Sequence, residues 1–198
     1  LYICMIKNPN PVAKNVTPQL SDAAFIREKV PMTKEEIRHV SICKLHLKSD
    51  SVLYDVGSGT GSIAVEAASL SDDMEVYAIE QKENAVQLIT QNKEKHGLEN
   101  IHVIKAKAPD GMDTLPVPTH AFIGGSGGNL NEIIEALKAK NPHIRIVINA
   151  ISMETICEIK EILSAYDVKN EDIVQLQVKA DRTLPSDAGR KSGVDMFV

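Results

Sequence analysis

The sequence predicts an α/β fold: a doubly wound, Rossmann-like and mostly parallel sheet with helices on both faces and an N-terminal helical cap. Three observations carry this prediction. From residue 52 onward, short apolar runs alternate with segments of helical periodicity, the pattern of buried parallel strands joined by crossover helices. Two glycine clusters follow strand-like runs, at 57–61 and 124–128, where such sheets open onto a ligand. The chain has 198 residues, 43% of them hydrophobic, enough for one sizeable core, so residues 1–198 read as a single domain.

Residues 1–48 read as an N-terminal extension with cap helices, and residues 49–198 as the core. Residues 1–17, with Pro9 and Pro11, form an extended lead-in. A short helix is expected over 21–29. In 31–47, Ile37, Val40, Leu45 and Leu47 recur at helical spacing, and Thr33 followed by Glu36 is a capping-box pattern that starts this helix at Thr33. The alternation follows: strand 52–56, helix 62–70, strand 75–80, helix 82–97 closed by Gly97, strands 101–106 and 120–125, helix 129–140, strand 144–150, helix 153–166 and strand 172–180. There are no internal repeats or low-complexity segments.

Bulk properties exclude several classes of function. With 22 basic and 27 acidic residues the net charge is -5, which argues against a general nucleic-acid binder. No run is long enough to span a membrane, and the first residues lack the pattern of a signal peptide. Cys4, Cys43 and Cys157 have neither metal-site nor redox spacing. They read as reduced thiols of a cytoplasmic protein, some of them in the core. The six His show no ligand spacing, so no metal site is expected.

The first glycine cluster, "DVGSGTGS", follows a strand and opens a helix. A tight turn needs one glycine, and three alternating ones exceed that need, so a nucleotide-type ligand is expected. The dinucleotide fingerprint GxGxxG serves a pyrophosphate, whereas the spacing here is GxGxG. S-adenosylmethionine has no phosphate and needs a close backbone and an acid for its ribose hydroxyls. Glu80, at the end of the second strand, suits the ribose. The loop contributes Gly57, Ser58, Gly59, Thr60 and Gly61, and Asp55 is placed to orient the loop or the ligand's ammonium group. The pattern over residues ~50–166 resembles the class I S-adenosylmethionine-dependent methyltransferases.

The second cluster carries Gly124, Gly125, Ser126, Gly127 and Gly128. It holds neither the Asp/Asn-Pro-Pro-aromatic motif of enzymes that methylate exocyclic base nitrogens nor acidic metal ligands. "FIGGSGG", together with "AFIREKVPMTKEEIR", "APDG" and "INAISMET", resembles the decarboxylating precorrin-6B C15-methyltransferases of corrin (cobalamin) biosynthesis, from about Ser21 to Arg182. The resemblance implies that Thr33, Gly57 to Gly61, Glu80 and Ala106 surround S-adenosylmethionine. It further implies a homotetramer and a tetrapyrrole substrate that is methylated at C15 and decarboxylated at the C12 acetate. The glycines of the second loop would let the macrocycle approach the backbone, and exposed N–H groups there can hold a carboxylate.

Three features depart from that family: Ala106-Lys107 stands where Gly-Asp or Gly-Glu is common, His120 stands where an Asp begins the fourth strand, and the last strand, ending in "VDMFV", looks truncated or absent. His120 is read as a buried or capping residue. Transfer of a methyl group to an electron-rich carbon requires alignment rather than a strong base, in keeping with the lack of a nucleophile–base constellation. Arg27, Lys29, Arg38, Lys107, Arg182, Arg190 and Lys191 are candidate partners for substrate carboxylates. Arg182 and the Arg190–Lys191 pair, which follow the sixth strand, and Asn149 at the end of the fifth strand, are placed toward the substrate rim. Met153 and Ile156 read as core or subunit contacts. Another small-molecule or tRNA methyltransferase, and a non-catalytic S-adenosylmethionine-binding module, are the alternative readings.

Overall fold

The computed structural model describes residues 17–166, 168–180 and 192–197. Five strands, β1 (Val52–Val56), β2 (Glu75–Glu80), β3 (Ile101–Lys105), β4 (His120–Ile123) and β5 (Arg145–Ile148), form one parallel sheet in the order β3-β2-β1-β4-β5. The chain winds outward from β1 to β3, then returns to place β4 on the other side of β1. Strand order therefore reverses between β1 and β4, the position where doubly wound sheets bind ligands.

The helices are α1 (Glu35–Leu45), α2 (Ser62–Ala68), α3 (Glu83–Lys95), α4 (Leu130–Lys140) and α5 (Met153–Ala165). Their apolar spacing explains their packing. In α4, Leu130, Ile133, Ile134 and Leu137 are buried, a single stripe at i, i+3, i+4 and i+7. In α3 the stripe is Ala85, Leu88, Ile89 and Asn92, with a polar residue where an apolar one would continue it. Two cores result. Ile42 and Leu45 of α1 join residues of α2 and Ile89 on one sheet face, and the α4 stripe with Ile162 covers the other. No described helix is long and apolar enough to cross a membrane.

Four expectations are corrected. The segment 21–29 is not a helix: it holds one 3-10 turn, Asp22–Ala24. The capping box at Thr33 does not form. The first turn of α1 begins at Glu35 with Lys34 as the residue before it and no side-chain cap, so Thr33 lies one residue outside the helix and Glu36 falls at its second position rather than the third that a capping box needs; the Thr33 carbonyl accepts from the buried guanidinium of Arg38 at 2.9 Å. Cys43 and Cys157 are exposed rather than in the core; Cys4 lies outside the described residues. Finally, β6 (Gln175–Ala180) does not extend the parallel sheet. It pairs antiparallel with β7 (Ser192–Phe197), a strand that the sequence reading left truncated or absent. The alternation of Leu176 and Val178 with Gln175 and Gln177 suits a two-stranded ribbon with one face in water better than a doubly covered sheet.

Before α1, residues 17–33 cross the α1–α3 face as a strap. Glu66, 1% exposed, accepts the N–H groups of Gln19 at 2.6 Å and Leu20 at 3.0 Å. Arg38, fully buried, bonds Glu66 at 3.0 Å, Asp22 at 3.2 Å and the Leu20 carbonyl at 2.5 Å, and stacks on Phe25. Two buried ions are tolerated here because nearly every polar atom has a partner. Arg38 is thereby committed to the strap, which removes it from the candidate partners of substrate carboxylates.

Candidate active site

The loop after β1 is fixed from behind. Gly57, Gly59 and Gly61 have φ of +69°, +59° and +78°, a region that side chains with a Cβ rarely adopt. The N–H groups of Gly57 and Ser58 donate to the Ile79 carbonyl at 3.0 and 3.2 Å. Asp55 is fully buried, and its Oδ2 accepts from the Ser58 hydroxyl at 2.6 Å and the Ala64 N–H at 3.1 Å. Its Oδ1 has no partner. Burial pushes the Asp55 carboxyl up to about 7, against the pull of the Ser58 and Ala64 hydrogen bonds and with a smaller push from Glu80. Asn92 of α3, also fully buried, donates to the carbonyls of Thr60 at 2.9 Å and Ile26 at 2.8 Å and accepts the Ile26 N–H at 2.7 Å. It thus joins the loop to the strap. A Cβ on Gly61 would sit 3.1 Å from the Ile89 side chain, so this glycine lets α2 approach α3.

Glu80 is not a solvated strand end. It is 8% exposed, its Oε2 accepts the Gly59 N–H at 3.0 Å, and its Oε1 accepts the N–H groups of Gln81 and Lys82, both at 2.9 Å. One carboxylate holds the crest of the first glycine loop and the start of α3 together. A carboxylate has about four acceptor positions, so one is left on a residue that lines the cleft.

The second glycine loop folds back across the rim. The Gly124 N–H donates to the Val56 carbonyl at 3.0 Å. A Cβ on Gly57 would lie 2.4 Å from the Gly125 oxygen, so the two loops meet backbone against backbone. A Cβ on Gly127 would meet Gln81 at 3.6 Å and Lys107 at 3.8 Å, which carries the loop from the end of β4 to the ends of β2 and β3. Asn129 anchors it there, its side-chain amide donating to the Ala108 carbonyl at 3.1 Å. Gly124 has Phe122 2.9 Å from a built Cβ, and Gly127 and Gly128 have φ of +60° and +85°. Gly125 differs: its φ is ordinary and nothing lies within 4 Å of a built Cβ. Neither backbone strain nor packing accounts for glycine at this position.

These segments enclose a cleft of about 560 Å³, within the size range of small-molecule sites. Thr33, Gly57, Ser58, Gly59, Glu80 and Ala106 line it, as do Gly124, Gly125, Ser126, Gly127 and Asn149. Asp55, Thr60, Gly61 and Gly128 do not; the first three stand behind the loop, as described. Asn149 is engaged with the Ser41 hydroxyl at 3.1 Å. Arg182, Arg190 and Lys191 lie outside the described residues. Sequence reasoning passed over Lys34, Lys82, Gln81 and Ile151, which also line the cleft. Lys82 had a visible signal, standing two residues after Glu80 at the mouth of a helix, whereas Lys34 reaches the cleft only through the course of the strap. Ile151 and Met153 are 71% and 68% exposed, so Met153 is not a core residue. His120 is buried, bonds Thr119 at 2.7 Å, and is held below the usual histidine range, first by burial and then by Arg145, Lys48 and His46.

Comparisons with known proteins agree with this architecture. The chain is 43% identical over 146 residues to a probable cobalt-precorrin-6B C(15)-methyltransferase (decarboxylating) of Saccharolobus solfataricus, covering 71% of this chain and 73% of that one. It is 36% identical over 163 residues to the cobalt-precorrin-6B C(15)-methyltransferase (decarboxylating) of Salmonella typhimurium, covering 81% and 84%. The crystal structure of precorrin 8W decarboxylase from Methanobacterium thermoautotrophicum superposes with a TM-score of 0.79 at 32% identity, over 90% of this chain and 98% of that one. The model of the precorrin methyltransferase domain matches residues 23–192, and the chain belongs to that family.

Proposed function

We propose that this chain methylates C15 of (cobalt-)precorrin-6B with S-adenosylmethionine and removes the C12 acetate carboxylate as carbon dioxide. The observation that carries the reading is the single cleft shared by two glycine loops: the first is held by Glu80, and the second leaves clear space above Gly125. Family membership supplies the reaction class.

The residues fit the cofactor. The free acceptor position of Glu80 suits a ribose hydroxyl, and Gly57, Ser58 and Gly59 line the cleft with it. S-adenosylmethionine supplies an electrophilic methyl group when bound. The chain's part is placement: Glu80 and the first loop would hold the donor, and the clearance at Gly125 would admit a flat ring, because methyl transfer depends on alignment. In decarboxylation the bond to the carboxylate breaks, its electron pair passes into the conjugated macrocycle, and the exocyclic carbon takes up a proton from solvent, so no protein nucleophile is required. Assembly as a homotetramer belongs to the same reading and is tested by light scattering.

The test is incubation with cobalt-precorrin-6B and S-adenosylmethionine, followed by mass spectrometry. A product that has gained one methyl group and lost one carbon dioxide is expected. A substrate returned unchanged while the protein binds the cofactor would point instead to a binding module.

A further inference from the structure

Four lysines border the cleft, Lys29 and Lys34 on the strap and Lys82 and Lys107 at the ends of β2 and β3. Among the described residues the only carboxylate lining it is Glu80, whose oxygens already take three backbone N–H groups. None of the four lysines makes an ion pair with a described residue. Glu83, beside Lys82, is taken by Lys105. The chain as a whole carries a net charge of -5, so this concentration of positive charge runs against its average. Unpaired cations around a cleft with low-dielectric walls raise the local concentration of anions.

Lys107 stands against the second glycine loop. The Ala106 N–H donates to the Glu80 carbonyl at 3.1 Å, the Asp110 N–H donates to the Lys107 carbonyl at 2.9 Å, and the Ala108 carbonyl is held by Asn129. Its backbone is thus tied on both sides while its side chain runs beside Gly127, with Cε 3.8 Å from where a Cβ would stand. A pinned backbone reduces the entropy lost when the ammonium group engages a ligand.

We infer that these four lysines are the specificity element for the macrocycle: they hold its peripheral carboxylates, and Lys107 sets which edge of the ring lies over the second glycine loop. This rests on the tetrapyrrole reading of the same cleft. The shared chemistry is a polyanion, and the occupant inferred is a polycarboxylate rather than a nucleotide phosphate.

The experiment is an absorbance titration of the full chain with uroporphyrin, which is fringed with acetates and propionates, with its uncharged amide, and with ATP as competitor. Uroporphyrin should bind at least about tenfold more tightly than the amide, with an affinity that falls as salt is added. Exchanging all four lysines for glutamine should weaken it at least about tenfold and flatten the salt dependence, and Lys107→Glu should be the most damaging single change. Affinity for S-adenosylmethionine, measured by calorimetry on the same proteins, should stay within about twofold and reports that they are folded. The inference is overturned if the amide binds as well as the acid, if the four-lysine variant binds uroporphyrin like the wild type, or if the lysine changes weaken the cofactor instead. ATP binding more tightly than uroporphyrin would assign the rim to phosphate and also overturn it. Turnover of cobalt-precorrin-6B by the wild type is scored separately: its absence refutes the proposed reaction and leaves the binding comparison to decide the role of the lysines.

Discussion

The two glycine loops end neighbouring strands and touch at Gly57 and Gly125, yet they are built differently. Every glycine of the first has a structural reason: positive φ, contact with Gly125, contact with Pro31 at 3.0 Å, or contact with Ile89. Behind it stand three buried polar side chains, Asp55, Glu80 and Asn92. The second loop is secured at its ends, by Gly124 against Phe122 and by Asn129 on Ala108, and is open at Gly125. A loop that must hold one constant ligand is rigid throughout. A loop that must admit a wide, flat one needs fixed ends and a clear centre.

The sharpest way to break this contrast is at the contact itself. Gly57→Ala places a Cβ 2.4 Å from the Gly125 oxygen at a φ of +69°, and no flexible side chain can give way. A loss of more than about 3 kcal/mol is expected, with cofactor binding lost as well; urea denaturation and calorimetry measure both. Asn92→Ala comes next. It strands the N–H and carbonyl of Ile26 and the carbonyl of Thr60, for a loss of about 2–3 kcal/mol. Because the loop and the strap are joined there, protection from hydrogen exchange should fall in both segments together; a loss confined to the strap would remove the coupling.

Asp55 gives a pH-dependent form of the comparison. Its carboxyl is raised from the ordinary 3.8 to about 7, so the folded chain holds the proton better than the unfolded one. Stability from this group is full below pH 3.8 and is lost as pH rises to about 7. Relative to Asp55→Asn, which cannot ionise, the wild type should lose on the order of 2 kcal/mol between pH 5 and pH 8, read from urea midpoints. The depressed His120 acts in the opposite sense, its stability being lost as pH falls, but it is common to both proteins and cancels. A constant gap between the two would mean that the carboxyl is already charged in the folded chain throughout this range, so that burial does not raise it.

Much of this was legible in the sequence, for stated reasons. The five parallel strands and their helices follow from apolar periodicity, and the reversal of strand order next to β1 placed both glycine clusters on one rim. Glu80 was identified by its place at a strand end. Its three backbone bonds were not, because they depend on the path of the glycine loop. Thr33 and Glu36 fit a cap that does not form, since the helix starts one residue later, at Glu35, and the motif falls out of register, a shift that local spacing does not reveal. The glycines of the second loop were all read as clearance for a ligand. Three of the four have conformational or packing causes, which no spacing rule distinguishes, and Gly125 alone retains the original reading.

Gly125→Ala is therefore the direct test. A methyl group there meets nothing within 4 Å, so stability should change by less than about 0.5 kcal/mol. Gly125 lines the cleft, and in the proposed reading the added methyl would take up space meant for the macrocycle. The measurement is kcat/KM for cobalt-precorrin-6B beside the Kd for S-adenosylmethionine in the same variant. The account predicts at least about a tenfold fall in kcat/KM, from lost alignment, with the cofactor Kd unchanged. Normal turnover, or a loss of cofactor affinity that matches the loss of turnover, would contradict it.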